Sequence, residues 1–197
     1  DDILMINNTY NNNKRNFFMT QNNDDWLDDI KSKIILQKKV YIVCLSEKQL
    51  MCIHDELDTL LKETNIKNGI NEDENRILTI TGGMGSLEKK AMSDVNKLWS
   101  NVGVLLTTSA TGAGVDFSKV GHFDYIYGNV YSGLSPPIEF LQIIHRVRYP
   151  TNNNVYVLCN SQMRLPEITY DLKKGVIHNT RSFIYTIDNA KQYIDDL

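Results

Sequence analysis

Five apolar, β-branched runs punctuate the chain: Val40 to Leu45 (VYIVCL), Ile77 to Ile80, Val102 to Thr107, Phe123 to Tyr127 and Val155 to Cys159. The first is apolar almost without interruption, as in a strand covered on both faces and flanked by parallel neighbours. Most of the intervals carry helical signals. Trp26, Leu27, Ile30, Ile34 and Ile35 recur close to helical spacing. Ser46 begins a helix predicted to run to about Lys62, with Gln49 at capping-box distance. Ser86 to about Trp99 reads as a further helix, and Pro137 to Val147 as another with proline at its start. Strands alternating with helices of this length imply an α/β fold with a doubly wound, mainly parallel sheet flanked by helices.

At 197 residues there is room for one such domain with extras. Residues 1 to about 25 are rich in Asn and Asp, a loop-forming composition in which Phe17-Phe18-Met19 can add an edge strand. Asn65 to Asn75 reads as a polar loop. The expected organisation is an Asn-rich segment and first helix over 1–38, the α/β domain over 39–160, and an extension of unassigned role over 161–197. The opening Asp-Asp, without an initiator Met, reads as a piece of something larger.

Composition narrows the function classes. Hydrophobic residues at 42% and charged residues at 23% fit a globular core. A net charge of −3 supplies no global basic field, so any contact with nucleic acid has to be local. Cys44, Cys52 and Cys159 are odd in number and lack C-x-x-C spacing, which argues against a disulfide scaffold or a zinc site. Cys44 and Cys159 fall inside strand-like runs and read as buried thiols in a reducing, intracellular setting. His54, His122, His145 and His178 show no metal-ligand spacing, and no metal site is expected. No stretch has membrane-spanning length and no signal peptide is visible, so neither secretion nor a membrane partner is expected.

In a doubly wound sheet, ligands meet the loops at the carboxyl ends of the strands. Ser46, Thr81-Gly82 and the stretch from Thr107 and Thr108 to Asp116 all fall there. Taken singly, each is an ordinary cap or turn, and for Ser46 alone that is the better reading. As an ordered set they form a row of hydroxyls and backbone amides suited to a phosphodiester backbone. The glycines do not make a dinucleotide loop. Gly83-x-Gly85 and Gly112-x-Gly114 meet Glu88 and Phe117 where a third glycine is required, and no Walker lysine loop occurs. Gln142 and Arg146 share a helix face by their spacing of four, with Arg148 on an adjoining one. Such arginines either complement a helix C-terminus or act on phosphate oxygens as arginine fingers. Ile143, Ile144 and Val147 anchor the opposite face, which favours the second role.

From Lys39 to about Cys159 the chain resembles the C-terminal RecA-like domain of superfamily 2 helicases. KKVYIVCLSEKQL resembles motif IV, ILTITGG the next strand and turn, VLLTTSATGAGVDF motif V, HFDYIYGN motif Va, and EFLQIIHRVR motif VI. Within that superfamily the Q-x-x-x-R-x-R ending is most similar to herpesvirus-type replication origin-binding helicases of large DNA viruses. The resemblance implies that Thr108, Ser46, Thr81 and Gly82, with Thr107 beside them, contact nucleic-acid phosphates, the partner being single-stranded DNA. It also implies that Gly114 and Asp116 lie at the ATP side, and that Arg146 and Arg148, supported by Gln142, reach the γ-phosphate. ATP and Mg2+ would be held mainly by an N-terminal RecA-like domain of the same polypeptide, which this chain does not include. Two departures stand out: His145 replaces the usual glycine, and Tyr149 stands where the commoner pattern has its last arginine. The implied function is the second motor domain of an ATP-dependent helicase in viral DNA replication. The rival is a non-catalytic nucleic-acid-binding or assembly module with the same fold.

Overall fold

The computed structural model describes residues 15–82, 94–109, 116–131 and 137–160. The chain order is β1 (Asn16–Thr20), α1 (Asn23–Ile35), β2 (Val40–Cys44), α2 (Glu47–Asn68), β3 (Arg76–Ile80), α3 (Val95–Leu98), β4 (Val102–Thr107), β5 (Tyr125–Tyr131), α4 (Pro137–Ile144) and β6 (Asn154–Asn160). These strands form a six-stranded sheet in the order β1-β6-β5-β2-β4-β3. Every pairing is parallel. The doubly wound α/β expectation therefore holds.

Alternation along the strands builds two cores, one on each side of the sheet. Val40, Ile42 and Cys44 meet Trp26, Ile30 and Ile34 of α1 and Leu50, Ile53, Leu57 and Leu61 of α2. Tyr41 and Val43 face the other way, with Trp99, Phe117, Phe123, Phe140, Ile143 and Ile144. A side chain at Gly128 on β5 would place its Cβ 2.3 Å from Phe140 Cζ, so glycine there lets α4 press against the sheet.

Local signals set most helix starts. Asn22 accepts the amides of Asp24 and Asp25 and so caps α1. Ser46 caps α2 by accepting the amide of Gln49 at 3.5 Å. The helix predicted to stop near Lys62 continues to Asn68, because its last turns are held from outside. Buried Asn65 donates to the Asn75 carbonyl and accepts from the Asn75 side-chain amide, both at 2.7 Å. Gly69 then takes φ +66°, and the amides of Gly69 and Ile70 return to Ile66 and Asn65 in a Schellman closure. The Asn65–Asn75 stretch is thus partly helix rather than loop throughout.

Residues 15–38 are built into the same sheet and core. β1 pairs with β6 from Asn16↔Asn154 to Thr20↔Leu158, forming one edge of the sheet, and α1 supplies core residues. β5 starts at Tyr125, two residues later than the apolar run implies, while the Asp124 carboxylate accepts the Lys39 amide at 2.9 Å. Cys44 and Cys159 are buried thiols outside any disulfide, and Cys52 is exposed. Of the helix expected over Ser86 to Trp99, only Val95–Leu98 lies among the described residues, capped by Asp94. Among those residues no helix is long and apolar enough to cross a membrane.

Candidate functional site

The parallel sheet carries the ends of β2, β4 and β3 side by side, which brings together the residues expected to form a phosphate row. Val43 pairs with Thr107 and Ile80 pairs with Thr107 from the other side. The Thr108 amide donates to the Ile80 carbonyl at 3.0 Å, extending the ladder one step past β4 and setting Thr108 beside Thr81. Thr81 is half-buried and Gly82 exposed, while Thr108 is 7% exposed. Ser46 is half-buried, and its hydroxyl already serves the α2 cap.

Thr107 departs from the expected row. It is 0% exposed, and its hydroxyl donates to the Tyr41 phenol at 3.2 Å on the sheet face that α4 covers. Strand alternation explains this: Thr107 and Thr108 cannot both point to one surface. The side chain of Thr107 therefore has a partner inside the protein.

The arginine segment is shaped differently from the continuous helix predicted to reach Val147. α4 ends at Ile144. One further turn closes through His145 N–H to the Leu141 carbonyl at 3.1 Å and Arg146 N–H to the Ile143 carbonyl at 3.0 Å. The second of these is a tightened i→i−3 bond, so Arg146 keeps its place near exposed Gln142 although it lies past the helix proper. The chain then extends. Phe117 N–H donates to the Arg146 carbonyl at 2.8 Å and Arg148 N–H to the Phe117 carbonyl at 3.0 Å, making a parallel bridge between Phe117 and Val147. Both bridge residues are fully buried. A β-branched residue buried and paired in extended conformation outweighs continuation of the helix, so Arg148 leaves the helical face on which its spacing placed it.

That bridge sets Asp116 against Arg148, whose Nε donates to Asp116 Oδ1 at 2.8 Å. Arg146 is half-buried. Gly114, expected at the same edge, lies outside the described residues, as do Gly83, Met84 and Gly85 of the turn after β3. Arg15 lies in the Asn-rich stretch and carries no local signal that marks it out. Its Nη2 donates to the Val147 carbonyl at 2.6 Å and its Nη1 to Asn153 Oδ1 at 3.2 Å. Burial lowers its pKa to about 10, which leaves it charged at neutral pH. His145 is pushed down to about 4 by burial, then by the Arg15 and Arg148 cations, and so is neutral at pH 7.

Tyr41 is the other residue that sequence reasoning passed over. It is fully buried, donates to the Ile143 carbonyl at 2.9 Å and accepts from Thr107. A signal was present: a lone phenol inside a strand otherwise buried and aliphatic has to find a partner. Among the described residues no group of three or more His, Cys, Asp or Glu is placed to hold a metal ion.

A six-stranded parallel sheet, a hydroxyl-bearing edge at the ends of β2, β3 and β4, and an arginine segment bridged to the chain after β4 define the architecture. The C-terminal domain of Dbp5 from S. cerevisiae, solved bound to Gle1 and IP6, superposes with a TM-score of 0.51 over 93% of this chain and 86% of that one, at 14% identity. The fold is that of a RecA-like helicase C-terminal domain. A second structure of the C-terminal domain of the DEAD-box protein Dbp5 aligns over 93% of the chain with a TM-score of 0.49 and 17% identity. In sequence, the chain is 27% identical over 194 residues, 98% of its length, to the "Uncharacterized putative helicase R8" of Acanthamoeba polyphaga mimivirus. It spans 17% of the length of that protein. No family model matches the chain. The similarity is thus to a helicase-like protein, and it runs through β1 and α1 as well as through the motif-bearing strands.

Proposed function

We propose that this domain is the second of two RecA-like domains in an ATP-dependent nucleic-acid helicase or translocase, acting on single-stranded DNA in viral DNA replication. One observation carries the reading. The two arginines sit on a segment bonded by its backbone to Phe117, which follows Thr108 by nine positions in the chain.

The donor set fits a nucleotide phosphate at the domain's edge. Arg146 and Arg148 present planar guanidinium forks, and the buried Phe117–Val147 bridge anchors the backbone between them. ATP with Mg2+, held mainly by the first RecA-like domain, supplies the phosphoryl group. Arg146 stabilises charge that develops on the phosphate oxygens, Gln142 supports it, and Arg148 exchanges between Asp116 and that charge. Thr108, Thr81, Gly82 and Ser46 bind successive backbone phosphates, while Gly114 and Asp116 line the nucleotide side. Closure and reopening of the cleft move this row along the strand.

The deciding experiment is steady-state ATPase kinetics of Arg146→Ala in the full-length protein. The maximal rate should fall by about 10³-fold or more, with ATP binding changed far less. Lysine at 146 should rescue poorly, because an ammonium lacks the planar fork. Normal turnover in Arg146→Ala and Arg148→Ala would instead favour the rival reading, an assembly or nucleic-acid-binding module. The observation on that side is the Arg148–Asp116 pair, which already satisfies one arginine within the domain.

A further inference from the structure

Tyr41 has no place in the phosphate row or among the arginines, yet its phenol joins the elements that carry both. Its Oη donates to the Ile143 carbonyl at 2.9 Å and receives the Thr107 hydroxyl at 3.2 Å. The Ile143 carbonyl is also the acceptor that closes the Arg146 turn, at 3.0 Å. At the other end, Thr107 is followed directly by Thr108, whose amide is fixed to Ile80. Arg146 is near enough that its charge opposes the rise in the Tyr41 pKa caused by burial. The ring is held by Trp99 at 6.3 Å and Phe123 at 5.9 Å between centroids, so the hydroxyl has little freedom to seek other partners.

We propose that Tyr41 is a positioning residue that transmits the state of the Thr107–Thr108 strand end to Arg146, through the Ile143 carbonyl. This rests on the motor reading above and adds to it a specific route from nucleic acid to the finger. Phosphate contact at Thr108 tensions the end of β4, and Thr107 passes that displacement to the phenol. The phenol in turn sets the last turn of α4, and with it the depth of Arg146. A misplacement of about 1 Å at a reacting centre can cost on the order of 10²-fold in rate, so small movements suffice.

The test is Tyr41→Phe in the full-length protein, assayed well below its melting temperature with and without single-stranded DNA. The ring stays and only the hydroxyl is lost. The expected result is a fall of about ten-fold in DNA-stimulated kcat, with the KM for ATP and the Kd for DNA within about two-fold. A purely structural hydroxyl would lower Tm and leave those ratios alone. Thr107→Val provides a second variant: it should reduce stimulation in the same sense, and the double variant should be no worse than Tyr41→Phe alone. Arg146→Ala is the control that separates two failures. If Arg146→Ala is impaired while Tyr41→Phe or Thr107→Val is stimulated normally, the relay is overturned and the motor reading stands. If Arg146→Ala turns over normally, the finger assignment falls, and the relay falls with it.

Discussion

Arg148 and Asp116, thirty-two positions apart, are joined by a hydrogen bond from the arginine Nε to the carboxylate at 2.8 Å. Their side chains are 52% and 47% exposed. An ion pair so open to water contributes little to folding, under about 1 kcal/mol. Asp116→Asn should therefore leave the melting temperature nearly unchanged and become less distinguishable from wild type as salt rises. If the proposed motor role holds, Arg148→Ala in the full-length protein should lower kcat much as Arg146→Ala does. A large loss of Tm with normal kcat would show that the pair is structural.

The residues proposed to bind phosphates differ in burial, Ser46 being half-buried, Thr108 7% exposed and Thr107 0% exposed. Thr108→Ala and Ser46→Ala should each weaken single-stranded DNA binding by on the order of 1 kcal/mol, about equally for all base sequences. Thr107→Ala should leave single-stranded DNA binding nearly unchanged while lowering stability and DNA-stimulated kcat, since its hydroxyl is buried against Tyr41. Fluorescence anisotropy with homopolymeric and mixed oligonucleotides measures the first effect, and thermal melts the second. A strongly sequence-dependent loss at Thr108 would argue for base readout.

The domain alone offers arginines but neither a lysine loop nor a helicase acidic metal-binding motif in its sequence. A highly purified sample should show no ATP turnover above background in a phosphate-release assay. Turnover that disappears in Arg146→Ala would mean that the active-site assignment is wrong.

Acid should destabilise the fold through two histidines. Burial lowers His145 to about 4, helped by Arg15 and Arg148, and lowers His122 to about 4, helped by Lys39. Both bind a proton more weakly folded than unfolded, where their ordinary value is 6.5. Their contribution is therefore fully present above about pH 6.5 and is lost as the pH falls toward 4. Melting temperature should drop between pH 7 and pH 5, and His145→Gln should flatten that slope. An unchanged slope in the variant would show that His145 is not buried in the neutral form.

Strand positions, the alternation that divides β2 between two cores, and the Ser46 cap were legible in the sequence because each depends on neighbours a few residues away. The motif-bearing strand ends followed from the same pattern, since a parallel sheet collects them at one edge. The end of α4 was not legible. Helical periodicity runs on to Val147, but pairing with Phe117 across the fold pulls Val147 into extended backbone and carries Arg148 to Asp116. The same holds for α2, prolonged by the Asn65–Asn75 pair, and for the partner of β1: Phe17-Phe18-Met19 read as an edge strand, but β6, with which it pairs, lies at the far end of the domain. Arg15 makes the case most sharply: it stands in an Asn-rich stretch, and its target is a backbone carbonyl 132 positions away. Periodicity and capping are short-range and written into consecutive residues. Which buried donor meets which buried acceptor depends on the order of strands in the sheet, so the partners of Arg15, Tyr41 and Arg148 were fixed only when the chain had folded.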